Sequence, residues 1–247
     1  LMAYPATTLV VSRVEAHLLR SLAPAARVTV VSNVHDVAPG ASEPEGCSGR
    51  RGVLFVGNLN HLPNQQAILA LVDEVLPATL PLLGPGERED FVLHIVGSNS
   101  ATEADLSRPG LSVHFHGWLP DPELRALYRS VRAVVAPLMS GAGVKGKVNQ
   151  AMLHGVPVVA TPVAAEGMWL EDGESALIAS NATEFAAKLV AVLRDCSLWE
   201  RLVRGGRANV ERYFSVAAAT TALAQVMTQL GFAVPVPRHT YTCNHQI

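Results

Sequence analysis

A glycine turn followed by two lysines is the stretch of this sequence with the clearest chemistry. Gly141-Ala142-Gly143 follows an apolar run over residues 133–136, and Lys145 and Lys147 fall on the first turn of a predicted helix. A helix start exposes unpaired backbone N–H groups with a partial positive charge, and glycines let a ligand approach the backbone. With two ammonium groups added, the pattern predicts a phosphate or diphosphate site. An ordinary turn with two solvated lysines explains the local pattern equally well.

Short apolar strands alternate with helices along most of the chain. Runs that are apolar throughout, rather than at every second residue, are typical of a parallel sheet covered by helices on both faces. We therefore predict a Rossmann-like α/β fold. Such sheets bind ligands at the carboxyl ends of their strands, so the loops that follow the strands are expected on one rim. These loops begin at Gly57, Gly97, Gly117, Gly141 and Pro162.

The chain divides into four parts by pattern. Residues 1–35 predict a strand–helix–strand unit, and residues 36–50, rich in Gly, Pro and Ser, predict a linker. Residues 51–231 carry the alternating strands and helices of the main domain. Residues 232–247 fit no helix and predict a disordered tail. Because the sequence does not begin with Met, we expect a fragment of a longer protein.

Composition excludes several classes of protein. The 247 residues are 49% hydrophobic and 16% charged, with a net charge of −2, which gives no electrostatic case for a nucleic-acid partner. No stretch approaches the roughly 18–20 apolar residues of a membrane span, and the first residues do not resemble a signal peptide. Cysteines 47, 196 and 243 are few and scattered, which favours a reducing, cytoplasmic compartment and argues against a disulfide framework.

The string GAGVKGKVNQAMLHGVPVVATPVAAEGM, residues 141–168, resembles the nucleotide-sugar site of the group 1 glycosyltransferases, which have the GT-B architecture. The resemblance covers residues 53–214. It implies that the main domain is the C-terminal half of a GT-B fold and that residues 1–35 are a remnant of the N-terminal domain. The implied reaction transfers a sugar from a nucleotide-diphosphate sugar to a glycan, lipid or small-molecule acceptor, with retention at the anomeric carbon. It needs no cofactor and no metal.

The resemblance also implies roles for individual residues. Lys145 and Lys147 would hold the donor diphosphate and neutralise the charge that grows on it as the sugar–oxygen bond breaks. Glu166 would lie on the sugar side, although a solvated loop acid is an equally good interpretation. The implied donor-binding residues are Gly57, Asn58, Trp118, Leu119, Gly141, Ala142, Gly143, Val144 and Gln150.

Three of these positions carry a doubt or an alternative. Trp118 and Leu119 would lie near the base, but Trp118 could instead be packed in the core. Gln150 replaces a Glu that the family uses to bind the ribose, so this contact should be weaker. Ala142 stands where many members have a second Glu.

Other functions stay open at this stage. A catalytically degenerate nucleotide-binding or interaction module would explain Gln150. An α/β enzyme that binds another phosphorylated ligand, such as a sugar-phosphate epimerase of the same architecture, would use the same rim. His114 and His116 share one face of a strand, but no nearby carboxylate or cysteine completes a metal site. Peripheral contact with a membrane is compatible with the resemblance.

Overall fold

The first part of the chain forms a small pair of parallel strands joined by a helix. In the computed structural model, β1 (Thr8–Val10) pairs with β2 (Val28–Val30), and α1 (Arg13–Leu22) connects them. Ser12 caps α1 by accepting a hydrogen bond from the Glu15 N–H at 3.2 Å. The predicted strand, helix and strand are therefore present. The structure describes residues 6–35, 46–98, 106 and 108–233.

Six further strands form one parallel sheet. They are β3 (Val53–Val56), β4 (Val92–Val96), β5 (Ser112–Gly117), β6 (Ala133–Ala136), β7 (Val158–Ala160) and β8 (Leu177–Ile178). Their order across the sheet is β5-β4-β3-β6-β7-β8, and all neighbouring pairs are parallel. Every residue of β6 and β7 is buried, which explains why these strands are apolar throughout. The arrangement confirms the predicted Rossmann-like α/β fold.

Further helices follow along the chain, and several of them cover this sheet. They are α2 (Leu62–Ala70), α3 (Leu76–Thr79), α4 (Pro85–Asp90), α5 (Asp121–Ser130), α6 (Gly146–Leu153), α7 (Pro162–Ala165), α8 (Ala182–Arg194), α9 (Cys196–Phe214) and α10 (Val216–Gln229). Both α6 and α8 pack on β6 and β7, and α9 packs on α6 and α8. Phe185, Trp199 and Phe214 are among the largest fully buried side chains. The core therefore lies between the central strands and these helices.

Side-chain caps fix several helix starts, as the sequence pattern indicates. Asn181 with Glu184 three residues later has the spacing of a capping box, and Asn181 accepts a hydrogen bond from the Glu184 N–H at 2.9 Å at the start of α8. Asp195 and Ser215 cap α9 and α10 in the same way. Each such cap stabilises a helix by about 1 kcal/mol. At α5, by contrast, Asp121 is the first helical residue and makes no side-chain cap.

The helical spacing of the apolar residues 68, 71, 72 and 75 predicts a helix from residue 63 to residue 76, but the helical stretch extends further and changes its pitch. After α2 the chain makes a π-helical turn (Leu71–Val75), then α3, then a 3-10 turn (Leu80–Leu82). Pro77 and Pro81 lie at the start of α3 and of the 3-10 turn, and neither has the N–H that a regular helix would use at that position. Apolar spacing does not detect such changes of pitch, so the predicted end at residue 76 is wrong.

A disulfide joins Cys47 to Cys196 at the start of α9. The sequence argument against a disulfide framework does not anticipate this bond, because folding brings together residues 149 positions apart. Arg132 holds the same place by donating to the Cys47 carbonyl oxygen at 2.7 Å. The end of the predicted linker is therefore held against the main domain, and residues 36–45 lie outside the described part of the chain. The cysteine argument for a cytoplasmic location loses its basis, and that location stays a prediction.

The small unit contacts the last two helices. The His35 N–H donates to the Phe214 carbonyl oxygen at 2.7 Å, and α10 packs on both β2 and α9. Within the ranges given above, no helix has the length and apolar character needed to span a membrane. Residues 234–247 of the predicted tail lie outside the described residues.

Candidate functional site

The loops after β3, β4 and β5 pack together at the carboxyl ends of the strands. The Gly57 N–H donates to the Val96 carbonyl oxygen at 2.9 Å, and the Gly97 N–H donates to the Gly117 carbonyl oxygen at 2.8 Å. A β-carbon added at Gly97 would lie only 1.8 Å from the Gly57 carbonyl oxygen, so no larger residue fits there. The rim that the parallel topology predicts is present at these three loops.

The glycine turn depends on left-handed backbone conformations. Gly141 has a φ of 117° and Gly143 a φ of 75°, values that favour glycine over other residues. Lys145 is the N-cap residue of α6, and its Nζ donates to the carbonyl oxygens of Gly141 at 3.2 Å and Gly143 at 2.6 Å. Its ammonium group therefore holds the turn in shape. Burial lowers the pKa of Lys145, and the nearby charge of Glu166 partly opposes that change.

The Lys147 side chain reaches from α6 to the end of β3, where its ammonium group lies between three residues from the first half of the main domain. Its Nζ donates to Asn64 Oδ1 at 2.5 Å and lies 4.5 Å from the centre of the Phe55 ring. The same atom is 2.8 Å from the position that a β-carbon at Gly57 would take. We call Phe55, Gly57 and Asn64 the lysine cradle.

The surroundings of Lys147 disfavour the charged form of its side chain. Burial, and then repulsion by Lys145, lower the pKa of Lys147 to about 8. In the described part of the chain, neither lysine makes a salt bridge with a carboxylate. Two neighbouring ammonium groups without a salt-bridge partner repel each other, and a bound anion would relieve that repulsion.

The loop after β7 brings Glu166 to the turn. Thr161 caps the short helix α7 by accepting from the Ala164 N–H, and Glu166 follows at its end. The Glu166 side chain is exposed, and its charge acts on Lys145. Its role on the sugar side of the site stays a prediction.

The remaining predicted site residues differ in how far they are exposed. Trp118 is 72% exposed, so the alternative of a core-packed Trp118 is wrong, while Leu119 is partly buried against the core. The base-side role of both stays a prediction. Asn58 is exposed next to the cradle, and its carbonyl oxygen accepts from Asn64 Nδ2 at 2.8 Å. Ala142 and Gln150 are exposed, whereas Val144 packs against the core.

The small N-terminal unit also reaches the glycine turn, which sequence reasoning missed. Glu15 Oε1 lies 3.6 Å from the position of a β-carbon at Gly143, and Ser12 lies under Gly167 at 2.8 Å by the same measure. The spacing of Ser12 and Glu15 matches a capping box, so their helix start was detectable. No sequence signal shows that this helix start contacts the turn.

A cluster of three histidines lies away from the lysines, on β4 and β5. His94 Nδ1 and His116 Nε2 are 3.0 Å apart, and His114 lies beside both rings. Burial, and then the charges of the other two, lower the pKa of His94 to about 4. No group of three or more potential ligands in the described ranges is arranged to hold a metal ion. The expectation that the site needs no metal stays a prediction.

Comparison with known proteins gives one family and several similar structures. The profile of the family described as glycosyl transferases group 1 matches residues 50–195. Phosphatidyl-myo-inositol mannosyltransferase of Mycobacterium leprae is 31% identical over 172 residues, covering 68% of this chain and 44% of the relative. A 44.6 kDa protein of the cps region of Klebsiella pneumoniae is 28% identical over 151 residues, covering 59% of this chain and 38% of the relative. The chain thus spans less than half the length of these curated relatives.

The solved structures agree in fold at low sequence identity. The crystal structure of TarM has a TM-score of 0.71 at 15% identity, with 90% of this chain and 43% of TarM covered. The Anabaena protein Alr3699/HepE in complex with UDP-glucose has a TM-score of 0.64 at 19% identity, with 90% of this chain and 64% of HepE covered.

Proposed function

Because this chain belongs to the group 1 glycosyltransferases, we propose that it is the donor-binding part of an enzyme that transfers a sugar from a nucleotide-diphosphate sugar to an acceptor. The observation that carries this proposal is the Lys147 ammonium group, held in the lysine cradle at the carboxyl end of β3 beside a second lysine. The solved complex of the Anabaena protein HepE contains UDP-glucose, which supports a nucleotide sugar as the donor. Residues 51–231 are the donor domain in this proposal, and residues 1–35 end the domain before it.

The chemistry follows from where the positive charge lies. As the bond between the sugar and the diphosphate breaks, negative charge grows on the leaving nucleotide diphosphate. Lys147 and the N–H groups at the start of α6 stabilise that charge without having to reorganise. Lys145 contributes its charge from behind the turn that it holds in shape. The sugar keeps its anomeric configuration, and no metal takes part.

The proposal also covers the acceptor and the cellular compartment of the reaction. The acceptor is a glycan, a lipid or a small molecule, and the relative from Mycobacterium leprae, named for mannosyl transfer to phosphatidyl-myo-inositol, supports a lipid-linked one. The reaction takes place in the cytoplasm, with peripheral membrane contact where the acceptor is a lipid.

A second candidate is a catalytically degenerate nucleotide-binding module. It is favoured by Gln150, which presents a neutral amide where the family has a Glu for the ribose. This module would bind a nucleotide diphosphate weakly and transfer no sugar, so product analysis with UDP-glucose and GDP-mannose separates the two candidates.

Calorimetric titration of UDP and GDP into the purified chain tests the site itself. We expect binding that weakens at least about tenfold in Lys147→Ala, since a hydrogen bond to a charged group contributes about 1.5–3 kcal/mol. Lys188→Ala is the matched control, because it removes the same charge at α8, where Lys188 pairs with Asp172 and Glu184. Unaltered binding in Lys147→Ala would put the site on another loop. Absence of binding to the parent chain at millimolar nucleotide would remove the basis of the proposal.

A further inference from the structure

Asn64 is the polar side chain of the lysine cradle, and nothing in the sequence motif points to it. Asn64 lies in the first turn of α2, 83 positions before Lys147. Its Oδ1 accepts from Lys147 Nζ at 2.5 Å, and its Nδ2 donates to the Asn58 carbonyl oxygen at 2.8 Å. An ammonium group can only donate and a backbone carbonyl can only accept, so these two partners fix which way the amide is turned.

The two bonds join parts of the rim that are far apart in sequence. Asn58 belongs to the loop after β3, and Lys147 belongs to α6. The Phe55 ring lies on one side of the ammonium, and the ammonium fills the space that a side chain at Gly57 would take. A long lysine side chain has many rotamers, and immobilising it costs conformational entropy. Because Asn64 holds the lysine side chain in one conformation in the free protein, ligand binding does not have to immobilise it.

We propose that Asn64 is a positioning residue, whose amide holds the Lys147 ammonium group at the carboxyl end of β3 and ties it to the loop that binds the donor phosphates. This proposal rests on the proposed function for the identity of the ligand. The contact between Asn64 and Lys147 does not depend on that function. Asn64 itself touches the lysine and not the reacting atoms.

The lysine side chains can be observed one by one, because the chain contains only Lys145, Lys147 and Lys188. With lysine labelled by carbon-13 at Cε, each ammonium group is followed as a separate resonance through a pH titration, and the three single Lys→Ala variants assign the signals. In Asn64→Ala, we expect the midpoint of the Lys147 signal to fall, because the ammonium loses its acceptor. In Asn64→Asp, we expect the midpoint to rise, because a carboxylate replaces the amide.

The affinity for UDP supplies the second readout. Asn64→Ala should bind UDP about tenfold more weakly, the loss expected when a charged hydrogen-bonding group is no longer held in place. Asn64→Asp should also bind it more weakly, since the new carboxylate repels the diphosphate. The matched control is Gln66→Ala, on the same helix, which loses a bond from Ser140 Oγ of 2.9 Å but has no lysine partner. It should leave the Lys147 midpoint unaltered.

Each outcome decides the proposal. An unchanged Lys147 midpoint in both Asn64 variants, with the Lys188 signal native, overturns it. The proposal is also overturned if the Lys147 midpoint changes in the Asn64 variants while their UDP affinity stays equal to that of the parent. If the parent chain binds neither UDP nor GDP, the proposed function fails, and the midpoints alone then decide whether Asn64 holds Lys147. Asn64→Asp has the size of the native residue, so it keeps the test possible if Asn64→Ala does not fold.

Discussion

Replacing Gly97 with alanine tests whether the close contact of the rim loops shapes the site. The added β-carbon would lie 1.8 Å from the Gly57 carbonyl oxygen, and real β-carbons essentially never approach such an atom within 3.0 Å. The loop after β3 would have to move by more than 1 Å. It is held by the hydrogen bond from the Gly57 N–H to the Val96 carbonyl oxygen, so the movement disturbs two neighbouring strands.

The expected loss of stability in Gly97→Ala depends on the atom that the new β-carbon overlaps, which is the Gly57 backbone carbonyl oxygen. Overpacking a core costs about 1–3 kcal/mol, and more where nothing can give way. Here the contact is with backbone rather than with the end of a flexible side chain, so we expect about 3 kcal/mol. For a chain of this size, that corresponds to a fall of roughly 6–12 °C in Tm. Because Gly57 also bounds the space of the Lys147 ammonium, UDP affinity should fall by about tenfold or more.

Thermal unfolding followed by circular dichroism, together with UDP titration, measures both effects. The control is Gly86→Ala, because nothing lies within 4 Å of the β-carbon that it adds, and because alanine is the better helix former in α4. Its Tm should equal or exceed that of the parent. If Gly97→Ala melts within about 2 °C of the parent and binds UDP equally well, the rim loops are not as tightly coupled as the contact requires.

Three further predictions concern charge, the disulfide and a helix cap. The pKa of Lys147 in the folded chain, about 8, is below that of a lysine in the unfolded chain. Between about pH 8 and 10.5 the unfolded chain therefore binds more protons than the folded chain, and the contribution of Lys147 to the free energy of unfolding rises with pH. UDP affinity should fall over the same range, and both pH dependences should be smaller in Lys147→Met. Cys47→Ser should lower the free energy of unfolding by about 2–5 kcal/mol, measured in urea, and a reducing agent should then have no further effect. Asn181→Ala should cost about 1 kcal/mol through loss of the α8 cap, whereas Asn181→Asp should cost much less.

The parts of the fold that were predictable are those whose signal is local. Runs such as residues 53–56 and 133–136 are apolar throughout because they are buried on both faces, and that single fact yields strands, a parallel sheet and a common rim. The cap at Asn181 is local in the same sense. The order of the strands and the membership of the cradle are not local. They depend on contacts such as that of Asn64 with Lys147, for which neither residue type nor spacing gives a signal.

The two lysines of the central motif show how far residue type alone can go. In the sequence they are interchangeable, two positions apart in a predicted phosphate site. In the structure Lys145 turns inward to the carbonyl oxygens of the glycine turn and is only 8% exposed, whereas Lys147 reaches across the rim to the end of β3. One ammonium maintains the shape of the turn, and we propose that the other contacts the ligand. Lys145→Ala should therefore change the turn and lower stability as well as UDP affinity, whereas Lys147→Ala should lower UDP affinity while relieving the repulsion between the two charges. If Lys147→Ala lowered stability more than Lys145→Ala did, the result would contradict the division of roles that the hydrogen bonds indicate.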